Sequence, residues 1–166
     1  MDSANLQELN GVFAKIKARF GDRNQYGLIC KQGCYTGCCV LKLQKALWTN
    51  DPMDQVQNRS GIFFSVWSNE DSLRQRRVIY DIHALKLRQL EGYAITSREF
   101  ARDFRKSFES LRRDWPNVSV DYGPLTLMKG WIGSESNSLQ EDVLILMERF
   151  ARLSPLIDGL LESRRK

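Results

Sequence analysis

Residues 78–88 have the sequence VIYDIHALKLR, and their assignment decides whether the middle of the chain belongs to a sheet. Helical spacing would put four apolar residues on one face: Leu73, Tyr80, Ala84 and Leu87. The uninterrupted run Val78-Ile79-Tyr80 favours a strand instead, because β-branched and aromatic side chains suit a pleated surface. We therefore predict a strand.

Upstream of this strand the sequence predicts a β-hairpin and one more strand. Residues 26–30 and the chain from Cys34 onward form the two arms of the hairpin, joined by the three-residue loop Lys31-Gln32-Gly33. The second arm extends to about residue 48, with Cys39, Leu41 and Leu43 on one face and Lys42 and Gln44 on the other. A polar loop, TNDPMDQVQNRS, leads to the strand GIFFSVW at residues 61–67, and SNEDS then predicts a turn.

Downstream, a helix precedes two further strands. Thr96-Ser-Arg-Glu99 is a capping box, which marks the start of a helix. The apolar face of this helix consists of Phe100, Phe104, Phe108, Leu111 and Trp115, and Pro116 ends it. Residues 118–122 and 125–131 predict two strands around the Gly123-Pro124 turn.

Helices are expected at both ends of the chain. Near the amino terminus, apolar residues alternate at steps of three and four, as an amphipathic helix requires: Leu6, Leu9, Phe13, Ile16 and Phe20. A second capping box, Ser138-Leu-Gln-Glu141, begins another helix, and Ser154-Pro155 restarts one more.

Together these elements predict one α+β domain over residues 1–166. It is a mainly antiparallel sheet of about five or six strands with an N-terminal helix, a central helix and C-terminal helices packed on it. The chain has 166 residues, of which 42% are hydrophobic and 27% charged, enough for one core. No apolar run approaches the roughly twenty residues of a membrane span, and no signal sequence begins the chain, so we expect a cytoplasmic protein without membrane contact.

The four cysteines lie close together, as Cys30-x3-Cys34-x3-Cys38-Cys39. Zinc sites and iron–sulfur clusters use other spacings. We expect reduced, structural cysteines, with Cys30 facing Cys34 across the hairpin turn, and we expect neither a metal site nor a cofactor. The alternatives are a metal site and a redox pair.

The chain is basic, with 25 Lys and Arg against 20 Asp and Glu. On the helix from Arg98 to Trp115, arginines collect opposite the aromatic face. The candidates for binding a polyanion are Arg98, Arg102, Arg105, Arg112 and Arg113, joined by Arg76 and Arg77. The alternative is an ordinary solvated face on which Glu109 pairs with its arginine neighbours.

Few residues suggest catalysis. On a strand, Asp81 and His83 share a face, and a hairpin cysteine could act beside them as a nucleophile. Glycine-rich phosphate loops and the common hydrolase and metalloprotease motifs are missing from the sequence. Trp48 and Trp131 stand at predicted sheet ends, where they could contact a ligand or partner. The alternative is that all four tryptophans lie in the core or at its rim, where we place Trp67 and Trp115.

These observations favour a non-enzymatic interaction module that binds a protein partner or a second copy of itself. The alternatives are a nucleic-acid or phosphate-binding protein that uses the basic helix face, and a hydrolase that uses Cys and His. Asp81 and His83 are candidates for a ligand or interface site in either case. An uncovered sheet edge would permit a homodimer.

Overall fold

A computed structural model describes residues 3–23, 26–135 and 137–166. Its centre is a five-stranded antiparallel sheet in which each strand pairs with the next along the chain. The strands are β1 (Ile29–Tyr35), β2 (Cys38–Gln44), β3 (Gly61–Asn69), β4 (Arg77–Leu85) and β5 (Thr126–Gly133). The helices are α1 (Ser3–Arg23), α2 (Glu70–Arg74), α3 (Ser97–Phe108) and α4 (Leu139–Glu162).

The α+β class is confirmed, and residues 78–85 are a strand, as their β-branched and aromatic content predicted. The sheet has five strands because one of the two predicted after α3 does not form. In that segment only Ser119 pairs with β5, through two backbone hydrogen bonds to Lys129 of 2.8 and 3.0 Å. The amide of Tyr122 then donates to the carbonyl of Val120, at 2.9 Å, and this turn takes the chain away from the sheet.

The first hairpin turns at Thr36-Gly37, so the predicted loop at Lys31-Gln32-Gly33 is wrong. Thr36 and Gly37 both have positive φ, 46° and 75°, as a two-residue type I′ turn requires. Such a turn matches the right-handed twist of its strands, and Gly33 consequently lies in the extended part of β1. Strand β2 ends at Gln44, and a short 3-10 helix covers Ala46–Trp48.

This register also changes the cysteine pairing. Cys34 lies opposite Cys39, and the two form a disulfide, whereas Cys30 lies opposite Leu43. Cys30 and Cys38 are free thiols. The expectation of four reduced cysteines, with Cys30 facing Cys34, is therefore wrong, because the turn falls four to five residues further along the chain than predicted.

The Thr96 capping box forms, with the Thr96 side chain accepting from the Glu99 amide and Glu99 accepting from the Thr96 amide. The helix α3 ends at Phe108, earlier than the predicted Trp115, and a 3-10 turn at Arg112–Asp114 follows. The predicted turn after β3 is instead α2, because the Asn69 and Ser72 side chains cap it reciprocally.

Helix α4 runs without interruption past Pro155, where the sequence predicts a restart. Proline has no amide hydrogen, so it leaves the carbonyl of Ala151 without its helical donor. The buried Ser154 hydroxyl donates to that carbonyl at 2.6 Å and replaces the missing bond. At its start, Ser138 makes no side-chain cap, so the second predicted capping box does not form. None of the helices in the described residues is long and apolar enough to cross a membrane.

The long helices pack on one face of the sheet. The predicted apolar face of α1 is confirmed, with Phe13 and Ile16 fully buried. Phe150 on α4 stacks on Phe64 of β3, with ring centroids 4.4 Å apart, and lies 5.2 Å from Trp115. Each fully buried aliphatic or Phe side chain stabilises the fold by roughly 1.5–3 kcal/mol, which fixes the helices on this side. The opposite side, which we term the open face, carries none of the long helices of residues 3–23, 26–135 and 137–166.

Candidate functional site on the open face

The open face carries the alternate residues of the strands whose other residues fill the core. On β3, Phe63, Ser65 and Trp67 point to it, and on β4 Asp81 and His83 do so. The polar loop 49–60 lies beside these residues and is held by side chains from the sheet. Lys31 donates to the carbonyl of Pro52 at 3.1 Å, and Gln44 donates to the carbonyl of Ser60 at 3.1 Å.

A cavity of about 360 Å³ lies between this loop and the sheet, and we term it the open-face pocket. Its lining residues come from all five strands, the hairpin turn and the loop: Tyr35, Thr36, Cys38, Val40, Lys42, Val56, Arg59, Phe63, Ser65, Trp67, Asp81, His83 and Lys129. Its volume falls in the range of small-molecule sites, and its lining mixes apolar and polar groups as such sites do.

Asp81 is the carboxylate of this pocket, and it is 2% exposed. It accepts hydrogen bonds from the Ser65 hydroxyl and from Trp67 Nε1, the latter at 2.9 Å, and its Oδ1 lies 3.2 Å from His83 Nε2. Burial alone would raise the pKa of Asp81, but the bonds from His83, Ser65 and Trp67 and the charge of His83 outweigh it and hold the pKa below its usual value. The carboxylate is thus charged, and protein groups already provide its hydrogen bonds.

His83 has protein partners at both ring nitrogens. Nδ1 lies 3.4 Å from the carbonyl of Leu125 and 3.3 Å from Thr126 Oγ1, and a carbonyl can only accept. Nε2 lies 3.2 Å from Asp81 and 3.2 Å from the Arg59 guanidinium, so it can donate to the first or accept from the second, but not both. His83 therefore orients the buried carboxylate and presents no free nitrogen to the pocket.

The cationic side chains of the pocket are Lys42, Arg59 and Lys129. Lys42 is 2% exposed, donates to the carbonyl of Asn58 and lies 4.5 Å above the ring of Phe63. Burial lowers the pKa of Lys42 to about 8, and the charges of Lys31 and Arg59 act in the same direction. It therefore carries its charge only in part at mildly basic pH.

Arg59 and Lys129 differ from Lys42, whose ammonium donates to the Asn58 carbonyl, in that within residues 26–135 their side chains form neither a hydrogen bond to a carbonyl nor an ion pair. Lys129 is the ladder partner of Asp81, yet its ammonium lies over the ring of Trp67, 5.5 Å from the centroid, and forms no ion pair with that aspartate. Arg59 is exposed, and its guanidinium lies 3.2 Å from His83 Nε2. Both therefore remain available to an anion in the pocket.

The proposed cysteine nucleophile is poorly placed. Cys38 lines the pocket, but it pairs with Asn69 on β3, whereas His83 pairs with Phe63, six residues away. At about 3.3 Å per residue this separates the two by roughly 20 Å along the sheet. Burial and the charge of Asp81 also raise the pKa of Cys38 to about 11, so it is a neutral thiol.

The basic face of α3 divides into residues with different roles. Arg105 donates to four backbone carbonyls between residues 122 and 127, at 2.8 to 3.2 Å, and so holds the loop before β5. Arg102 pairs with Asp103 at 3.2 Å, and Arg112 lies 3.9 Å from Glu109. Arg98 and Arg113 are exposed. Polyanion binding at this face stays a prediction, but Arg105 is engaged by the fold.

The remaining candidates lie apart from the pocket or in the core. Arg76 pairs with Glu135 at 3.3 Å, while Arg77 lies 4.1 Å from the ring centroid of Trp131, on the open face beyond the pocket. Trp48 is fully buried and donates to Asp158 at 2.9 Å, so it holds α4 against the sheet. Of the two tryptophans predicted in the core or at its rim, Trp115 is buried in the core, whereas Trp67 is half-buried and lies on the open face.

Asp81 and His83 are predicted as site residues from the sequence, whereas the cations of the pocket are not. Phe63, Ser65 and Trp67 alternate along β3 with residues that fill the core. This period of two is the sequence signal that would have identified the residues of the open face. Arg59 and Lys129 reach the site from a loop and from a strand 70 residues apart in the chain, and no local pattern joins them. In the described part of the chain, no group of three or more His, Cys, Asp or Glu side chains could hold a metal ion.

Comparisons of the chain with protein-family models, with curated proteins and with solved structures found no match. The chemistry of the open face is therefore the basis for a functional assignment.

Proposed function

We propose that this protein is a non-enzymatic binding protein whose open-face pocket takes a small anionic ligand with an apolar or planar part. The anionic group, a phosphate or a carboxylate, lies against Arg59 and Lys129. The rest of the ligand packs on Phe63 and Trp67. Phosphate recognition, which the sequence predicts for the basic face of α3, would then take place on the sheet.

The observation that carries the proposal is the charge balance of the lining. Three cationic side chains line the pocket with one carboxylate, and that carboxylate has its own partners in Ser65, Trp67 and His83. An anion would therefore meet two cations, Arg59 and Lys129, that form no ion pair with any carboxylate in the part of the chain that the structure describes. Guanidinium groups match the oxygens of phosphate and carboxylate, which suits Arg59 to this role.

Binding is favoured over catalysis by the state of the groups that would have to react. Both nitrogens of His83 contact protein groups. Cys38 is a neutral thiol that lies six residues away from His83 along the sheet. General-base or nucleophilic catalysis needs a group with a free lone pair directed at the ligand. Asp81, whose bonds come from the protein, serves to fix Trp67 and His83 in the wall of the pocket.

The test measures binding of three probes by ligand-detected NMR: phenyl phosphate, benzoate and inorganic phosphate, at about 50 and 200 mM salt. We expect the two ring-bearing probes to bind and inorganic phosphate to bind more weakly, with affinity falling as salt rises. If only phenyl phosphate binds, the anionic group is a phosphate; if benzoate binds equally, a carboxylate suffices.

The variants Arg59→Gln and Lys129→Gln should each weaken binding of phenyl phosphate by roughly ten- to hundredfold, since a hydrogen bond to a charged group contributes about 1.5–3 kcal/mol. Lys106→Gln is the matched control, because Lys106 is an exposed cation on α3 outside the pocket. Equal weakening by the control, or absence of binding by every probe to the parent protein, would contradict the proposal.

A further inference from the structure

We infer that two copies of this chain pair through their β1 strands, antiparallel and centred on Gln32, to form one continuous ten-stranded sheet. This inference concerns the edge of the sheet and does not depend on ligand binding in the open-face pocket. It specifies the earlier expectation of a homodimer by naming the strand, the direction and the register.

Strand β1 is the edge from which the inference starts. It pairs with β2 on one side, over seven consecutive residue pairs without a bulge, and in the described residues no strand pairs with its other side. The outer row of backbone amides and carbonyls is therefore open. Natural proteins protect such rows with prolines, bulges or charged side chains, because an open row pairs readily with another strand.

The turn geometry decides which residues point outward. A two-residue type I′ turn is closed by a hydrogen-bonded pair, here Tyr35 with Cys38, and antiparallel pairs then alternate. Cys34 and Cys39 are accordingly a non-hydrogen-bonded pair, and their Cα atoms are 4.2 Å apart, as expected for such a pair. The outward backbone groups thus belong to Cys34, Gln32 and Cys30.

Those three residues define one register for a second copy. When β1 pairs antiparallel with itself about Gln32, Gln32 lies opposite Gln32, and Cys30 lies opposite Cys34 of the second copy. Each of these three residue pairs then forms two backbone hydrogen bonds between the copies, six in total. A register shifted by two residues would leave outward amides and carbonyls unpaired, so the register centred on Gln32 is preferred. The two-fold symmetry of this pairing uses the same edge of both copies and therefore closes the assembly at a dimer.

The side chains of β1 are compatible with this register. Its one charged residue, Lys31, has its ammonium bound to the carbonyls of Pro52 and Asp54, and it would face Gly33 of the second copy, so no like charges meet. Ile29, which is 37% exposed at this edge, would lie opposite Tyr35 of the second copy. An exposed apolar residue thereby gains an aromatic neighbour across the new pair.

The test is a cross-linking experiment that depends on register. In a background with Cys30→Ser and Cys38→Ser, the variant Gln32→Cys places a thiol on the two-fold axis. A hydrogen-bonded antiparallel pair has Cα atoms about 5.5 Å apart, within the range for a disulfide. We expect mild oxidation with oxidised glutathione to yield a covalent dimer on a non-reducing gel.

The matched control is Ile29→Cys in the same background. Its thiol lies on the same edge, but the two copies of residue 29 would be separated by six residues, or roughly 20 Å, and should not cross-link. A dimer of Ile29→Cys as abundant as that of Gln32→Cys would overturn the register.

Sedimentation of the unmodified protein provides the second measurement. We expect a mass of twice 19.3 kDa, shifting to that of a monomer in Gln32→Pro, because the Gln32 amide points away from β2 and its loss spares the hairpin. Circular dichroism of the Gln32→Pro variant checks that it remains folded. A parent protein that sediments as a monomer over the whole accessible concentration range would overturn the inference.

Discussion

The Asp81→Asn variant tests how the open face is held together. The Asp81 carboxylate receives three hydrogen bonds, from Ser65, Trp67 and His83. An amide of the same shape has one acceptor oxygen and turns its NH₂ group toward at least one of these donors. The change thus removes a charge-assisted bond and leaves a buried donor without a partner.

We expect this variant to lower the free energy of unfolding by about 3–5 kcal/mol. The charge-assisted bond accounts for about 1.5–3 kcal/mol and the unpaired donor for a further 1–3 kcal/mol, in line with the cost of removing one member of a buried pair. Ser65→Ala, which removes one donor and leaves the carboxylate two, should cost about 1 kcal/mol.

The assay is urea denaturation, followed by circular dichroism near neutral pH and in acid. Asp71→Asn is the matched control, because Asp71 is an exposed carboxylate that pairs with Arg74 on the surface of α2, and surface pairs contribute little. A loss below about 1 kcal/mol for Asp81→Asn, or an equal loss for the control, would refute the interpretation of Asp81 as a structural anchor.

The pH dependence follows from the sign of the pKa shift. The folded state holds the pKa of Asp81 below its usual value, so the carboxylate stabilises the fold above the usual Asp pKa of about 3.9. This stabilisation is lost as the pH falls below that value toward the lower pKa of the folded state. In Asp81→Asn the corresponding part of the acid dependence should disappear.

Three further predictions concern stability, each measured by urea denaturation. Arg105→Met should cost about 2 kcal/mol because four carbonyls lose their donor, whereas Arg102→Met, on the same helix, should change little; equal effects would contradict the role given to Arg105. Reduction of the Cys34–Cys39 disulfide should cost about 2 kcal/mol, since it closes a short loop, and Cys34→Ser should make the protein insensitive to reductant. Ser154→Ala should cost about 1 kcal/mol by leaving the Ala151 carbonyl without a donor, and an unchanged midpoint would disprove that role.

Helices and strands that are determined by residues close together in the chain were predicted correctly from the sequence. The β-branched and aromatic run at residues 78–80 and the reciprocal cap between Thr96 and Glu99 sufficed to place β4 and α3. The hairpin turn was misplaced because both Gly33 and Gly37 are turn-forming residues. The strand pairing, with Cys34 opposite Cys39, decides between them, and pairing is not a local property.

The site was predictable only in part for the same reason. Asp81 and His83 share a strand, so their spacing placed them on one face. Arg59 comes from the loop before β3 and Lys129 from β5, the neighbour of β4 in the sheet, and it is the fold that brings them together. Likewise, the engagement of Arg105 by loop carbonyls could not be inferred from a helical wheel, which shows only that it lies opposite the aromatic face.

The most direct test of the account is a ¹⁵N-detected NMR titration of the protein with phenyl phosphate. The account predicts that the indole resonance of Trp67 and the amides of Arg59, His83 and Lys129 shift together and saturate, while those of Arg102 and Arg113 on and after α3 stay in place. Shifts confined to the arginines of α3, or no saturable shift anywhere, would contradict an anion-binding pocket on the open face.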